Sequence, residues 1–234
     1  MIKCSICQTE NDLFAVTCKS CKAFLQNRVP NLNFFETVWK VIESPSTTFP
    51  IIVRSEQKNY SLFLFTMSGI ALSFALFWFF RLGNRFTNLF ELIPAATISG
   101  FGIGIVLGAV LVIPYHIAVR LFGGLAKIRS SFALLAYSLV PVVLSLIFIL
   151  PIELLTFGMY FFTANPPPYT INPVLYTILM GIDGCVVVWS LILAVIATVK
   201  GHRISILRSI IAMSITLAAL VATIWTIATK YGMI

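Results

Sequence analysis

Residues 132–162 run almost without interruption as apolar sequence, and a stretch of that kind has very few places to go. About 20 apolar residues suffice to cross a bilayer as a helix, and no solvated domain buries so much apolar helix without cost. Just before it stands GGLAKIRSSFALLAYSLVP, residues 123–141, with a glycine pair, a short basic turn and then the start of the apolar run. Read as a membrane span, the segment enters from its basic side and is bent by Pro141 near mid-depth. Composition agrees: 59% of the chain is hydrophobic and only 10% is charged, with a mean hydropathy of +0.98, whereas soluble domains carry about 25% charge. The expected class is an all-α polytopic membrane protein.

Five spans are expected, at about residues 60–80, 95–119, 132–162, 174–199 and 206–228. Seven Lys and Arg precede the first (Lys3, Lys19, Lys22, Arg28, Lys40, Arg54, Lys58). Three stand between the second and third (Arg120, Lys127, Arg129) and three around the fourth-to-fifth turn (Lys200, Arg203, Arg208). Against these thirteen, only Arg81, Arg85 and Lys230 fall on the other side. Positive charge accumulates on cytoplasmic loops, so the N-terminus is expected inside and the C-terminus outside. The net charge of +8 thus reports topology, and no nucleic-acid partner is expected. The bilayer is the first partner.

Cys4, Cys7, Cys18 and Cys21 form two CxxC pairs separated by ten residues. Each CxxC turn can aim two thiolates at one ion, which suits tetrahedral Zn²⁺. Residues 1–26 are therefore expected to be a small zinc ribbon, with Phe14, Val16 and Phe24 as its scrap of core. Metal binding would supply its folding energy, and Lys3, Lys19 and Lys22 would offset the charge of four thiolates. Disulfides or a redox pair are the alternatives. No signal peptide stands before Cys4, which favours a reducing cytosolic setting. Gln8 and Lys22 occupy the positions after each second cysteine where glycine is usual. With all four ligand positions filled, the zinc is structural.

Residues 27–33 read as a linker and 34–59 as an amphipathic pre-membrane segment. Asn33 and Glu36 form a capping-box-like pair, and Phe34, Phe35, Val38, Trp39 and Ile42 make one apolar stripe, with Glu36, Lys40 and Glu43 facing away. The helix ends at Ser44-Pro45, and residues 48–53 repeat the pattern. Such a helix either packs on the membrane body or lies in the interface, anchored by Trp39.

Within the membrane domain, residues 60–230, the small residues Ala96, Gly100, Gly104 and Gly108 recur every fourth position, a face for close helix packing. Its partner is either another helix of the chain or a second copy, so a homo-oligomer is possible. Glu153 is expected near the outer interface, where hydration makes it cheap, and His116 near the cytoplasmic end of its span. Asp183 falls near mid-depth, with Tyr137, Ser138 or Ser145 as hydrogen-bond partners if the third and fourth spans touch. Cys185 reads as an ordinary buried cysteine, and residues 165–169 (NPPPY) as a rigid outer loop.

The glycine pair, Ala136, Tyr137, Ser138 and Pro141, Trp189 late in the fourth span, the 202–208 loop, and Pro45 and Phe49 ahead of the first span together resemble the Yip domain family of Ypt/Rab-interacting membrane proteins. The resemblance covers roughly residues 35–230 and implies five helices with a cytoplasmic N-terminus. A ribbon fused ahead of such a domain resembles the prokaryotic branch, which would place it in the cell inner membrane. The acidic Gly-Pro motif of eukaryotic members is absent; residues 55–61 stand in its place, so binding of a Rab-type GTPase is not implied. No Ser/His/Asp set, carboxylate pair or open metal site lies on one face, and an enzyme is not expected. The expected function is a membrane organiser or adaptor whose ribbon recruits a cytosolic protein. The alternative is a small transporter or channel using Asp183 as a proton or ion site.

Overall fold

A computed structural model describes residues 2–12, 15–25, 32–55, 58 and 60–230, without the side chains of 223, 224, 227 and 228. Phe14 and most of the 27–33 linker lie outside the described residues. Two short strands, β1 (Ile2–Lys3) and β2 (Glu10–Asn11), pair antiparallel at the N-terminus. Helices follow: α1 (Phe34–Glu43), α2 (Pro45–Arg54), α3 (Tyr60–Phe79), α4 (Leu89–Leu121), α5 (Ile128–Ser138), α6 (Val140–Phe157), α7 (Pro168–Ile171), α8 (Pro173–His202) and α9 (Ile206–Lys230).

Four segments among the described residues are long and apolar enough to cross a membrane: Tyr60–Phe79, Leu89–Leu121, Ile128–Phe162 and Pro173–His202. A shorter apolar stretch, Ile206–Ala222, lies in α9. The third segment is two helices rather than one bent helix. Leu139, at φ −85° and ψ 3°, separates α5 from α6, so the interruption falls ahead of Pro141 instead of at it. Proline lacks an N–H and is favoured in the first turn of a helix, where Pro141 sits.

Glycine sets the closest contact in the bundle. A Cβ on Gly69 of α3 would lie 2.2 Å from Gly104 Cα, one on Gly100 2.5 Å from Ile70 Cα, and one on Gly104 2.6 Å from Thr66 Cα. The helix that meets the glycine face of α4 is thus α3, backbone to backbone, and a hydrogen bond of 2.9 Å between Ser73 and Ser99 ties the pair. Gly108 faces the rings of Phe132 and Phe65. Gly102, on the opposite side of α4, has open space around it.

The two pre-membrane helices divide the expected stripe. Val41 is buried, Val38 and Ile42 pack against the core, and Phe34 lies against Tyr60 and Phe63. Phe35 and Trp39 stay 81% and 68% exposed, on the side left for lipid. Helix α2 goes deeper, with Phe49 and Ile52 fully buried. Its Thr48 hydroxyl donates to the Lys40 carbonyl and so folds α2 back on α1.

The loops sort to two ends. At one, Gly83 packs on Phe162, Arg81 donates to the Phe161 carbonyl, and the Ala164 N–H donates to Asn84. At the other, Lys58 donates to Ser130 at 2.6 Å and the Leu125 N–H to the His202 carbonyl.

Candidate functional site

The N-terminal module is two turns of one design. The Gln8 N–H returns to the Cys4 carbonyl at 2.9 Å and the Lys22 N–H to the Cys18 carbonyl at 3.1 Å. Each turn closes with a left-handed residue, Gln8 at φ 57° and Lys22 at φ 59°. These are the two positions where glycine would be expected, and the backbone adopts the glycine conformation without it. Asn11, nearly fully buried, joins the halves: its amide donates to the Thr9 carbonyl and to Cys18 Sγ, and its Oδ1 accepts from the Lys19 N–H. Nothing in the cysteine spacing pointed to Asn11.

All four sulfurs lie within 4.8 Å of one another, with Cys4–Cys21 at 3.6 Å and Cys7–Cys18 at 3.4 Å. Tetrahedral bonds of about 2.3 Å separate thiolates by about 3.8 Å, a spacing close enough to this set that it could hold one four-coordinate ion. The cysteines are free thiols. Hydrogen bonding to the Thr9 side chain and backbone lowers the Cys7 thiol, whereas its sulfur neighbours and burial push the Cys21 thiol up. Val16 and Phe24 are exposed and pack no core here. Lys3 pairs with Glu10 at 3.9 Å. Asp12 pairs with Arg54 of α2 at 2.5 Å, holding the module to the end of the bundle where the basic loops gather.

That end is built around the glycine pair. Gly123 has φ +88°, a conformation L side chains rarely adopt. A Cβ on Gly124 would lie 2.5 Å from Val119 Cγ1 and 2.9 Å from His202 Nδ1. The pair therefore lets the turn between α4 and α5 lie against the end of α8. Beneath it, Ser131 Oγ bridges His116 Nδ1 at 2.8 Å and His202 Nε2 at 3.1 Å, and the Tyr115 hydroxyl meets Thr198 at 2.8 Å. The His116–Ser131–His202 chain was not legible in the sequence, because its members are 15 and 71 residues apart. Beside it Lys58 is partly buried, and burial together with Arg129 and Lys127 pushes its ammonium down to about 8.

In the membrane, Ser145 donates to Asp183 Oδ1 at 2.8 Å, one of the three partners the spacing allowed. Ser138 instead donates to the Leu135 carbonyl of its own helix, and the Tyr137 hydroxyl has no partner among the described residues. Glu153 is not a hydrated interfacial acid. It is 3% exposed, it interacts with Asp183, and both line one cavity. Distance along a helix gives depth, but the face is set by rotation, and α6 turns Glu153 toward α8. Cys185, expected buried, is exposed on the outer side of α8.

Apolar helices with their charges sorted to two ends, joined to a module whose four thiols could hold a metal ion, define a polytopic helical membrane protein with a small cysteine-bearing appendage. A family model, the Yip1 domain, matches residues 39–228; the chain belongs to that family, one of membrane trafficking and not known for enzymatic activity. The match runs from within α1 into α9 and leaves out the four cysteines. Comparison with curated proteins and with solved structures returns no match.

Proposed function

We propose that the protein is a non-enzymatic membrane organiser of the trafficking-adaptor kind, whose N-terminal module recruits a cytosolic protein to the membrane. The chain then crosses five times, with α9 as the fifth span, its N-terminus inside and its C-terminus outside. Zinc holds the module together, and the four thiols are its ligands.

The observation that carries this reading is the surface of the module. Ile6 and Phe24 are 74% and 58% exposed on a module of about two dozen residues, tethered to the bundle through Asp12 and Arg54. Large apolar side chains displayed on so small a folded unit are contact surface for a partner. The glycine-packed bundle supplies the membrane address.

The test uses the full chain in its own membrane. A photo-crosslinking residue at position 6 is expected to capture a soluble protein, and Cys18→Ser to release about one zinc per chain and abolish that crosslink while the bundle stays folded. Zinc loss without loss of the crosslink, or no crosslink in the parent, overturns the proposal.

A further inference from the structure

A cavity of about 560 Å³ opens among α3, α4, α6, α8 and α9. That volume lies within the ~300–1,000 Å³ range of small-molecule sites. Its walls are leucine, valine, alanine and aromatic side chains, and no Lys, Arg or His lines it. The polar exceptions converge on it. Ser68, Trp78, Glu153 and Ser190 are among its lining residues, and Ser68 Oγ, Trp78 Nε1, Glu153 Oε1 and Ser190 Oγ are themselves buried with no hydrogen-bond partner among the described residues. Ser68, Glu153 and Ser190 are 3%, 3% and 5% exposed. Buried polar groups are nearly always partnered, so several orphans on one cavity wall point to something that the cavity receives.

The chemistry of the walls narrows the occupant. Glu153 and Asp183 bring two carboxyls within hydrogen-bonding reach of each other; one proton joins such a pair, and the single negative charge left on it favours a cation beside it. An anion would meet acids and no base among the described lining residues. A purely apolar molecule would leave that charge uncompensated in a low-dielectric setting. A hard divalent cation such as Ca²⁺ or Mg²⁺ takes a shell of six or more oxygens and gives the apolar walls nothing to contact. We propose that the cavity binds a hydrophobic organic cation, with its charged centre at the Glu153–Asp183 pair and its apolar body against the walls of α3 and α4. Phe74, Trp78 and Phe161 line the same space, and aromatic faces attract such cations; Arg81 already lies 5.3 Å from the Trp78 ring. This site is independent of the module's partner and goes beyond the adaptor reading.

Tetraphenylphosphonium and tetraphenylborate, nearly equal in size and opposite in charge, are the probes. Equilibrium dialysis on the purified full chain is expected to show saturable uptake of the phosphonium, near one per chain, and none of the borate. Glu153→Gln and Asp183→Asn each remove one carboxyl of the pair that holds the charge and should weaken uptake about tenfold or more. The second variant also keeps an acceptor for Ser145, so it reads the charge should Glu153→Gln lose the fold. Gly184 lines the cavity, and a Cβ there meets nothing within 4 Å. Gly184→Leu therefore adds bulk at the cavity wall while leaving both acids in the sequence, and should weaken uptake as much. Failure of the parent to bind the phosphonium, equal affinity for both ions, or unchanged affinity in Asp183→Asn overturns the proposal.

Discussion

At the scale of the residue, glycine carries most of what is specific to this chain. Gly100, Gly104 and Gly108 were legible in advance because they repeat every four positions. Gly69, which meets the first two, was not, because one glycine in an apolar helix has no pattern. Gly69→Ala and Gly104→Ala would push a methyl into the opposing backbone and should each cost about 1–3 kcal/mol, the ordinary scale of overpacking. Gly102→Ala, on the same helix but facing open space, should be neutral or slightly stabilising. Thermal unfolding of the three variants in one detergent checks the contrast, and equal losses would remove α3 as the partner of the glycine face. The reverse substitution applies in the four-cysteine module. Gln8 and Lys22 hold φ near 60° without being glycine, so Gln8→Gly and Lys22→Gly should relieve strain and tighten metal retention, by roughly 0.5–1 kcal/mol each. Competition against a chelator reads this directly.

At the scale of the element, apolar length announced α3, α4, α6 and α8, but where a helix stops depended on local chemistry. Pro141 looked like a bend and is instead the start of α6. Phe34 and Phe35 look equivalent in the sequence, yet one packs on Tyr60 and the other is exposed; the angle at which α1 meets α3 decides this, and no residue of α1 encodes it alone. Lys58 is the clearest case of an element junction with a measurable consequence. It sits ahead of α3, with its Nζ donating to the Val53 carbonyl and to Ser130 near the start of α5. Its ammonium titrates near 8 in the fold, against 10.5 ordinarily. Between those values the unfolded chain binds more protons than the folded one, so this group makes stability rise with pH across that window. The gain is on the order of 1 kcal/mol once solvent screening is allowed for. Lys58→Met keeps the length of the side chain and should flatten the rise between pH 7.5 and 9.5 relative to the parent. Parallel profiles would mean that the ammonium is not desolvated.

At the scale of the whole molecule, two independent features sort the loops alike. The charge count puts Arg81 and Arg85 on one side of the membrane and Lys58, Lys127, Arg129 and Arg203 on the other. Packing unites Arg81 and Asn84 with Phe161 and Ala164 at one end, and Lys58 with Ser130, and Leu125 with His202, at the opposite end. A count of lysines knows nothing of hydrogen bonds, and the two agree on which loops share an end. Which loops share an end was legible because it follows from the order of the apolar helices, whereas the Glu153–Asp183 pairing depends on helix rotation and was not. The labelling experiment follows from both features. Single cysteines at Arg85 and Tyr169 should react with a membrane-impermeant maleimide added to intact cells, and cysteines at Lys127 and Arg203 only after the membrane is opened. Arg203 is chosen because it is exposed, whereas His202 beside it is fully buried and would stay silent from either side. A cysteine at Lys230, which ends α9, then decides the number of crossings. Labelling with the Arg85 group makes α9 a fifth span. Labelling with the Lys127 group would fold α9 back on the side it started from, leave four spans, and return the C-terminus to the side of the four-cysteine module.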